Sequence, residues 1–147
     1  MHFPRTMFLL SMMLVGCSGV RPVDLGVKEG MLAPCPATPN CVSSRAADRE
    51  HAIEPLRYRD DTVNAIEDLK RVVLSMKRAE IIVATDTYLH AEFTSAIFRF
   101  VDDVEFLRDE QTRLMHVRSA SRVGRSDFGV NRGRVEEIRR RWNERAK

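Results

Sequence analysis

No stretch of this 147-residue chain is apolar for long enough to cross a bilayer. The longest, Met7–Val15, would rise only about 14 Å as a helix, roughly half of a hydrocarbon core. Cysteine is nearly absent: three residues, at 17, 35 and 41, with no Cys-x-x-Cys spacing, so the usual redox-active motif is missing. A glycine-rich phosphate loop, a nucleophile elbow and a His-x-x-x-His pair are missing as well, which removes the motifs that announce nucleotide, acyl-transfer or zinc chemistry. Excess charge of one sign is also lacking. Lys and Arg number 24 against 21 Asp and Glu, and outside the last helix no basic block stands apart from acidic residues, so no nucleic acid partner is expected. No metal and no cofactor is expected from these absences.

What is present at the N-terminus is an address. Arg5 gives a positive start, Met7–Val15 an apolar stretch, and Gly16 a small residue before Cys17, the three parts of an export signal. Leu14-Val15-Gly16-Cys17 resembles the bacterial lipobox, which implies diacylglyceryl transfer to the Cys17 thiol, cleavage before it and acylation of the new amino group. Several acyl chains on one residue make a stable anchor. Residues 1–16 are therefore expected to be a lipoprotein signal peptide, and Ser18, rather than Asp, after the cysteine favours the outer membrane by analogy with enteric bacteria. Loss of Arg5 leaves a mature net charge of +2. Residues 17–30, broken by Gly19, Pro22, Gly26 and Gly30, read as a tether, and residues 31–147 as a single domain with enough chain for a core.

In an oxidising periplasm Cys35 and Cys41 read as a disulfide closing a small loop. A metal pair would need further ligands nearby. The prolines at 34, 36 and 39 make the segment a rigid loop.

From there the periodicity predicts β-α-β-β-β-β-α. His51–Tyr58 reads as a short edge strand, and residues 62–77 as an amphipathic helix capped by Asp60 or Asp61. Glu80–Thr85, Tyr88–Arg99, Phe100–Arg108 and Leu114–Ser121 alternate as strands, and Asn131–Ala146 returns to helical spacing with Val135, Ile138 and Trp142 on one stripe and Asn131 as N-cap. Short connections between consecutive strands dictate antiparallel pairing. The expected fold is α+β: an antiparallel sheet of about five strands with two helices on one face.

Alternation assigns Leu89, Ala91, Phe93, Ser95, Ile97, Phe100, Val104, Phe106, Met115 and Val117 to the helix-facing side. It sends His90, Glu92, Asp103, Glu105, His116 and Arg118 to the other, a dense polar face. Two imidazoles with three carboxylates could bind a divalent metal or do acid–base work. The simpler expectation is a solvated face with cross-strand pairs such as Arg118 with Glu105 or Glu92. Asp102 falls on the helix-facing side and needs a partner, with Arg122 and Arg132 as first candidates; Asp103, on the open face, should be cheap to lose. The Arg-rich stretch 118–132 offers Arg118, Ser119, Ser121, Arg122, Asp127, Asn131 and Arg132 as ligand-binding candidates for an anion, or as a loop locked by its own hydrogen bonds.

Four strings and their order carry a family resemblance: Cys35-Pro-Ala-Thr-Pro-Asn-Cys41-Val-Ser-Ser44, Phe100-Val-Asp-Asp-Val-Glu-Phe106, Arg118-Ser-Ala-Ser-Arg-Val-Gly124 and Ser126-Asp-Phe-Gly-Val-Asn-Arg132. Over about residues 32–142 the chain resembles the domain-of-unknown-function 1499 family. Members of that family occur in bacteria, often as exported or lipid-anchored proteins, and in photosynthetic eukaryotes, and the resemblance brings no catalytic residues with it. Arg125 departs from the pattern, since many relatives have an aromatic there. Two functional classes follow. The first is a non-catalytic module of the bacterial cell envelope, held at the outer membrane facing the periplasm by acyl chains on Cys17, with a lipid, a small anion or an envelope protein as partner. The second is a metal-dependent or acid–base envelope hydrolase using the polar sheet face.

Overall fold

The computed structural model describes residues 18–59 and 64–145. The expected signal peptide, the expected lipid-acceptor Cys17 and the expected Asp60 or Asp61 cap lie outside the described residues. The element order is β1 (Cys41–Ser43), β2 (Leu56–Arg57), α1 (Ala65–Leu74), β3 (Ala79–Ala84), β4 (Tyr88–Thr94), β5 (Val101–Asp109), β6 (Leu114–Ser121) and α2 (Val130–Arg145). The strands form one antiparallel sheet in the order β1-β6-β5-β4-β3, with β2 pairing on β6 beyond the end of β1. This is the α+β class that periodicity predicts, with six strands rather than about five.

Both helices lie on one face. Leu69, Val72 and Val73 of α1 and Val135, Ile138 and Trp142 of α2 join Leu89, Ala91, Phe93, Val104, Phe106, Met115 and Val117 in a single core. Each large side chain buried here contributes about 1.5–3 kcal/mol. Truncating Phe106, which is wholly buried, would cost about 3–5 kcal/mol. Among the described residues no helix is long and apolar enough to cross a membrane.

The structure departs from the periodic reading at three places, each with a physical cause. First, Cys41–Ser43 is a strand, although prolines fill the segment before it. The last, Pro39, ends just short of the pairing Cys41 with Ala120, Val42 with Ser119 and Ser43 with Arg118. Cys35 and Cys41 are joined by a disulfide with Cα atoms 5.7 Å apart, so the rigid loop is stapled to the start of β1. Second, only Leu56–Arg57 of the expected strand His51–Tyr58 is a strand. Carbonyls before it are taken by α2 instead: Arg132 donates to Ala52 and Glu50, Arg139 to Pro55 and Glu54. Backbone acceptors need partners, and here guanidinium groups supply them. Third, β4 stops at Thr94. Ser95, Ile97 and Phe100, read as helix-facing, belong to the β4–β5 hairpin loop, where Ile97, Phe98 and Phe100 are exposed.

Asp102 is buried on the helix side as expected, but its partner is neither Arg122 nor Arg132. Arg134 of α2 donates to its carboxylate at 2.5 Å, while the same guanidinium lies over the Phe93 ring at 4.8 Å and bonds Asn131 Oδ1 at 2.7 Å. An arginine inside a helix of arginines carries no mark of burial, which is why spacing alone missed it. Asn131 is not the N-cap of α2 either. Asp127 accepts the N–H groups of Gly129 and Asn131, leaving the Asn131 amide to bridge Asn40 O and Ser121 Oγ. Asp102→Ala should strand Arg134 and lower the unfolding free energy by about 3 kcal/mol, whereas Asp102→Leu combined with Arg134→Met should recover most of it. Urea denaturation measures both; a single-variant loss below about 1 kcal/mol would mean an exposed, weak pair.

Candidate functional site

Strand alternation puts Tyr88, His90 and Glu92 of β4, Asp103 and Glu105 of β5, and His116 and Arg118 of β6 on the face away from the helices. The cross-strand pairs His90 with Glu105, Glu92 with Asp103 and Glu105 with Arg118 set them in adjacent rows. The same alternation carries past the end of β6 to Arg122.

This face is not solvated. Asp103 is 1% exposed and Glu105 0%, and His90 and Arg118 are buried with them. The expectation of an open face fails because of residues 18–31, the segment read as a tether. Gly19 touches β6's exit at Arg122 and Val123. Further along, Arg21 donates to Glu92 from Nε at 2.8 Å and Nη2 at 2.5 Å, and the Gly26 N–H donates to Glu105 Oε1 at 2.7 Å. Lys28 and Met31 then exchange backbone hydrogen bonds in a tight reversal. The segment is a strap across the sheet.

Beneath the strap the charges are matched. Arg122 holds Asp103 in a fork, Nε to Oδ2 at 2.8 Å and Nη2 to Oδ1 at 2.7 Å, and also donates to Glu92. His90 Nε2 donates to Asp103 Oδ1 at 2.8 Å. Glu105 accepts the Tyr88 hydroxyl at 2.8 Å and Arg118 Nη1 at 3.2 Å besides the Gly26 N–H. Three carboxylates thus face three guanidiniums, the balance that burial demands. One atom is unmatched: Arg118 Nε is buried with no hydrogen-bond partner.

Burial pushes the Asp103 carboxyl up, but hydrogen bonds from Arg122 and His90 outweigh it and hold the group below the ordinary carboxylate range. Glu92 behaves likewise: burial raises it, and Arg122 and Arg21 bring it lower. The Tyr88 hydroxyl is raised, first by burial and then by the Glu105 charge, so it remains a donor. Arg122 is raised chiefly by Asp103.

His116 shares the face but not the network. Its Nδ1 lies 3.2 Å from Ser44 Oγ and its Nε2 3.8 Å from Asp109. Burial, with Arg45 adding to it, lowers its pKa, so its imidazole is neutral at neutral pH. The anion-site candidates split across the sheet. Arg118 and Arg122 serve the carboxylates. Ser119, Ser121, Asp127 and Asn131 lie on the helix side in one hydrogen-bonded knot, and Arg132 is spent on carbonyls. They do not converge on one ligand.

Among the described residues, His90, Glu92 and Asp103 form a group able to hold a cation: one donor atom from each lies within 4.8 Å of the others. Arg122 occupies that position, bonding two of the three. Sequence reasoning missed Tyr88, whose even-numbered place in β4 was readable, and Arg21 and Gly26, which no periodicity marks.

The fold and this face define a small α+β domain closed over a buried ion network. Residues 31–141 match the family model described as Protein of unknown function (DUF1499), and the chain belongs to that family. No curated protein matches the chain. The match takes in Glu92, Asp103, Glu105 and Arg122; Arg21 and Gly26 lie before it.

Because Asp103 is buried and doubly bonded, Asp103→Ala should cost about 3 kcal/mol, not the small loss expected of an open face. Glu92 and Asp103 bind protons more weakly folded than unfolded, so stability is complete above the unfolded carboxyl pKa of about 4 and lost as pH falls through the lower folded values. Arg122→Met removes the group that holds both carboxyls down, so its acid-unfolding midpoint, followed by circular dichroism, should move to higher pH. An unchanged midpoint would mean that the network is solvated.

Proposed function

We propose that this chain is a lipid-anchored, non-catalytic module of the bacterial cell envelope, carried on acyl chains at Cys17 and facing the periplasm from the outer membrane. It binds or scaffolds rather than turns over a substrate, with an envelope protein, a lipid or a small anion as the classes of partner. The observation that carries this reading is the strap. Arg21 and Gly26, in the segment that follows the lipobox-like cysteine, complete the ion network of the domain, so the acceptor cysteine stands four residues before the first of these bonded positions. The matched charges support the non-catalytic part: Glu92, Asp103 and Glu105 are each engaged by a guanidinium, leaving no free carboxylate in the network to act as a base.

A second reading rests on the His90–Glu92–Asp103 cluster. A metal-dependent or acid–base hydrolase would use it after the strap lifts and Arg122 swings aside. Stoichiometric zinc binding to the full chain by calorimetry would favour that reading.

Cys17→Ser should abolish lipidation and leave an unprocessed or soluble exported form. Fractionation of the native host after a salt wash, with mass spectrometry of the N-terminus, measures it. Normal processing and full retention in the outer membrane would contradict the anchored reading.

A further inference from the structure

Several elements leave the sheet at one end. Thr94 pairs with Val101 at the top of β4 and β5, and Asp102 pairs with Ser121 at the end of β6. The Arg122 N–H donates to Val101 O, so the 95–100 hairpin and the segment after β6 start side by side. Asn131 of α2 is fastened there through Asn40 and Ser121. The strap arrives at the same end, because a Cβ on Gly19 would lie 2.9 Å from both Arg122 Cβ and Val123 Cγ1. The chain coming from Cys17 therefore reaches the domain beside the β4–β5 hairpin.

That end is apolar at its tips. Ile97 is 81% exposed, Phe98 67% and Phe128 97%, and the Phe98 and Phe100 rings stack at 5.5 Å. Around them stand exposed cations: Lys77, Arg78, Arg99 and Arg125. The opposite end is different in kind. Its turns, Thr85-Asp86-Thr87 and Glu110-Gln111-Thr112-Arg113, are polar, of mixed charge, and carry no apolar side chain.

Resting on the anchored reading above, we infer that the end bearing Ile97, Phe98 and Phe128 is a membrane-docking surface, seated in the headgroup region of the bilayer that holds the acyl chains. Apolar tips ringed by basic side chains bind an interface by burying apolar area and by attraction to anionic headgroups. The turns at the far end have no apolar tip to bury in a bilayer. Docking fixes the orientation of the domain and presents the 109–112 hairpin to the periplasm.

The full chain purified from membranes, with Phe98→Cys, Phe128→Cys or Gln111→Cys bearing an environment-sensitive fluorophore, tests this on phosphatidylethanolamine–phosphatidylglycerol vesicles with brominated acyl chains. All three positions are exposed, so labelling leaves the core intact. Labels at 98 and 128 should be quenched at least about twofold more than the label at 111, and less so on vesicles without the anionic lipid. Equal, weak quenching of all three labels while the protein remains on the vesicles would overturn the docking surface and leave the anchor standing. Shielding of 98 and 128 before lipid is added would assign the patch to a second copy and would also overturn it. Quenching at 98 and 128 in protein whose Cys17 is unacylated by mass spectrometry would support docking and refute the anchored reading.

Discussion

Three carboxylates on one side of a sheet cannot be covered unless each is matched, and Glu92, Asp103 and Glu105 are covered. Removing a carboxylate from water costs several kcal/mol even after relaxation, so their burial obliges the arginines at 118 and 122, the Tyr88 hydroxyl, the His90 imidazole and the strap to be where they are. Two of these partners come from the strap. Arg21 and the Gly26 N–H make the covering segment part of the electrostatic solution rather than a passive lid. Gly19 follows from the same demand: at φ +71° and in contact with Arg122 and Val123, it lets the backbone pass where a side chain would collide.

The helix side meets the same constraint on a smaller scale. Asp102 is buried between Phe93 and Ser121 of the flanking strands, and Arg134 reaches it from α2 while resting on Phe93. Arg132 and Arg139 satisfy carbonyls of the 50–55 segment. The apolar stripe of α2 is narrow, Val135, Ile138 and Trp142, and its arginines do much of the remaining work of fastening. Charged side chains thus define the register of this domain from both faces, and exchange of a buried pair for apolar residues is the appropriate comparison for their net worth.

Much of the architecture was legible. The change from a period of 3.6 to one of 2 located the helices and β3 to β6, and parity placed His90, Glu92, Asp103, Glu105, His116 and Arg118 on one face and Asp102 on the other. Parity says which side a residue faces and nothing about what covers that side. Arg21 and Gly26 sit in a stretch of glycine and proline without repeat, so their long-range bonds to residues 71 and 79 positions away left no local trace. β1 was hidden by its three-residue length, and the expected strand His51–Tyr58 is reduced to β2 because carbonyls before it turn to arginines 80 or more positions on. The choice of Arg134 over Arg122 and Arg132 for Asp102 is likewise set by helix docking, which no spacing rule encodes.

The strap ties residues 18–31 to the domain through the bonds of Arg21 and Gly26. The most direct measurement is amide hydrogen exchange of the full chain at residues 21–26. A strap bonded to Glu92 and Glu105 predicts that the Gly26 N–H exchanges far more slowly than a free peptide and loses that protection in Glu105→Ala. Exchange of Gly26 at the free-peptide rate in the unaltered protein would contradict the account, because the polar face would then be open and its carboxylates available to solvent.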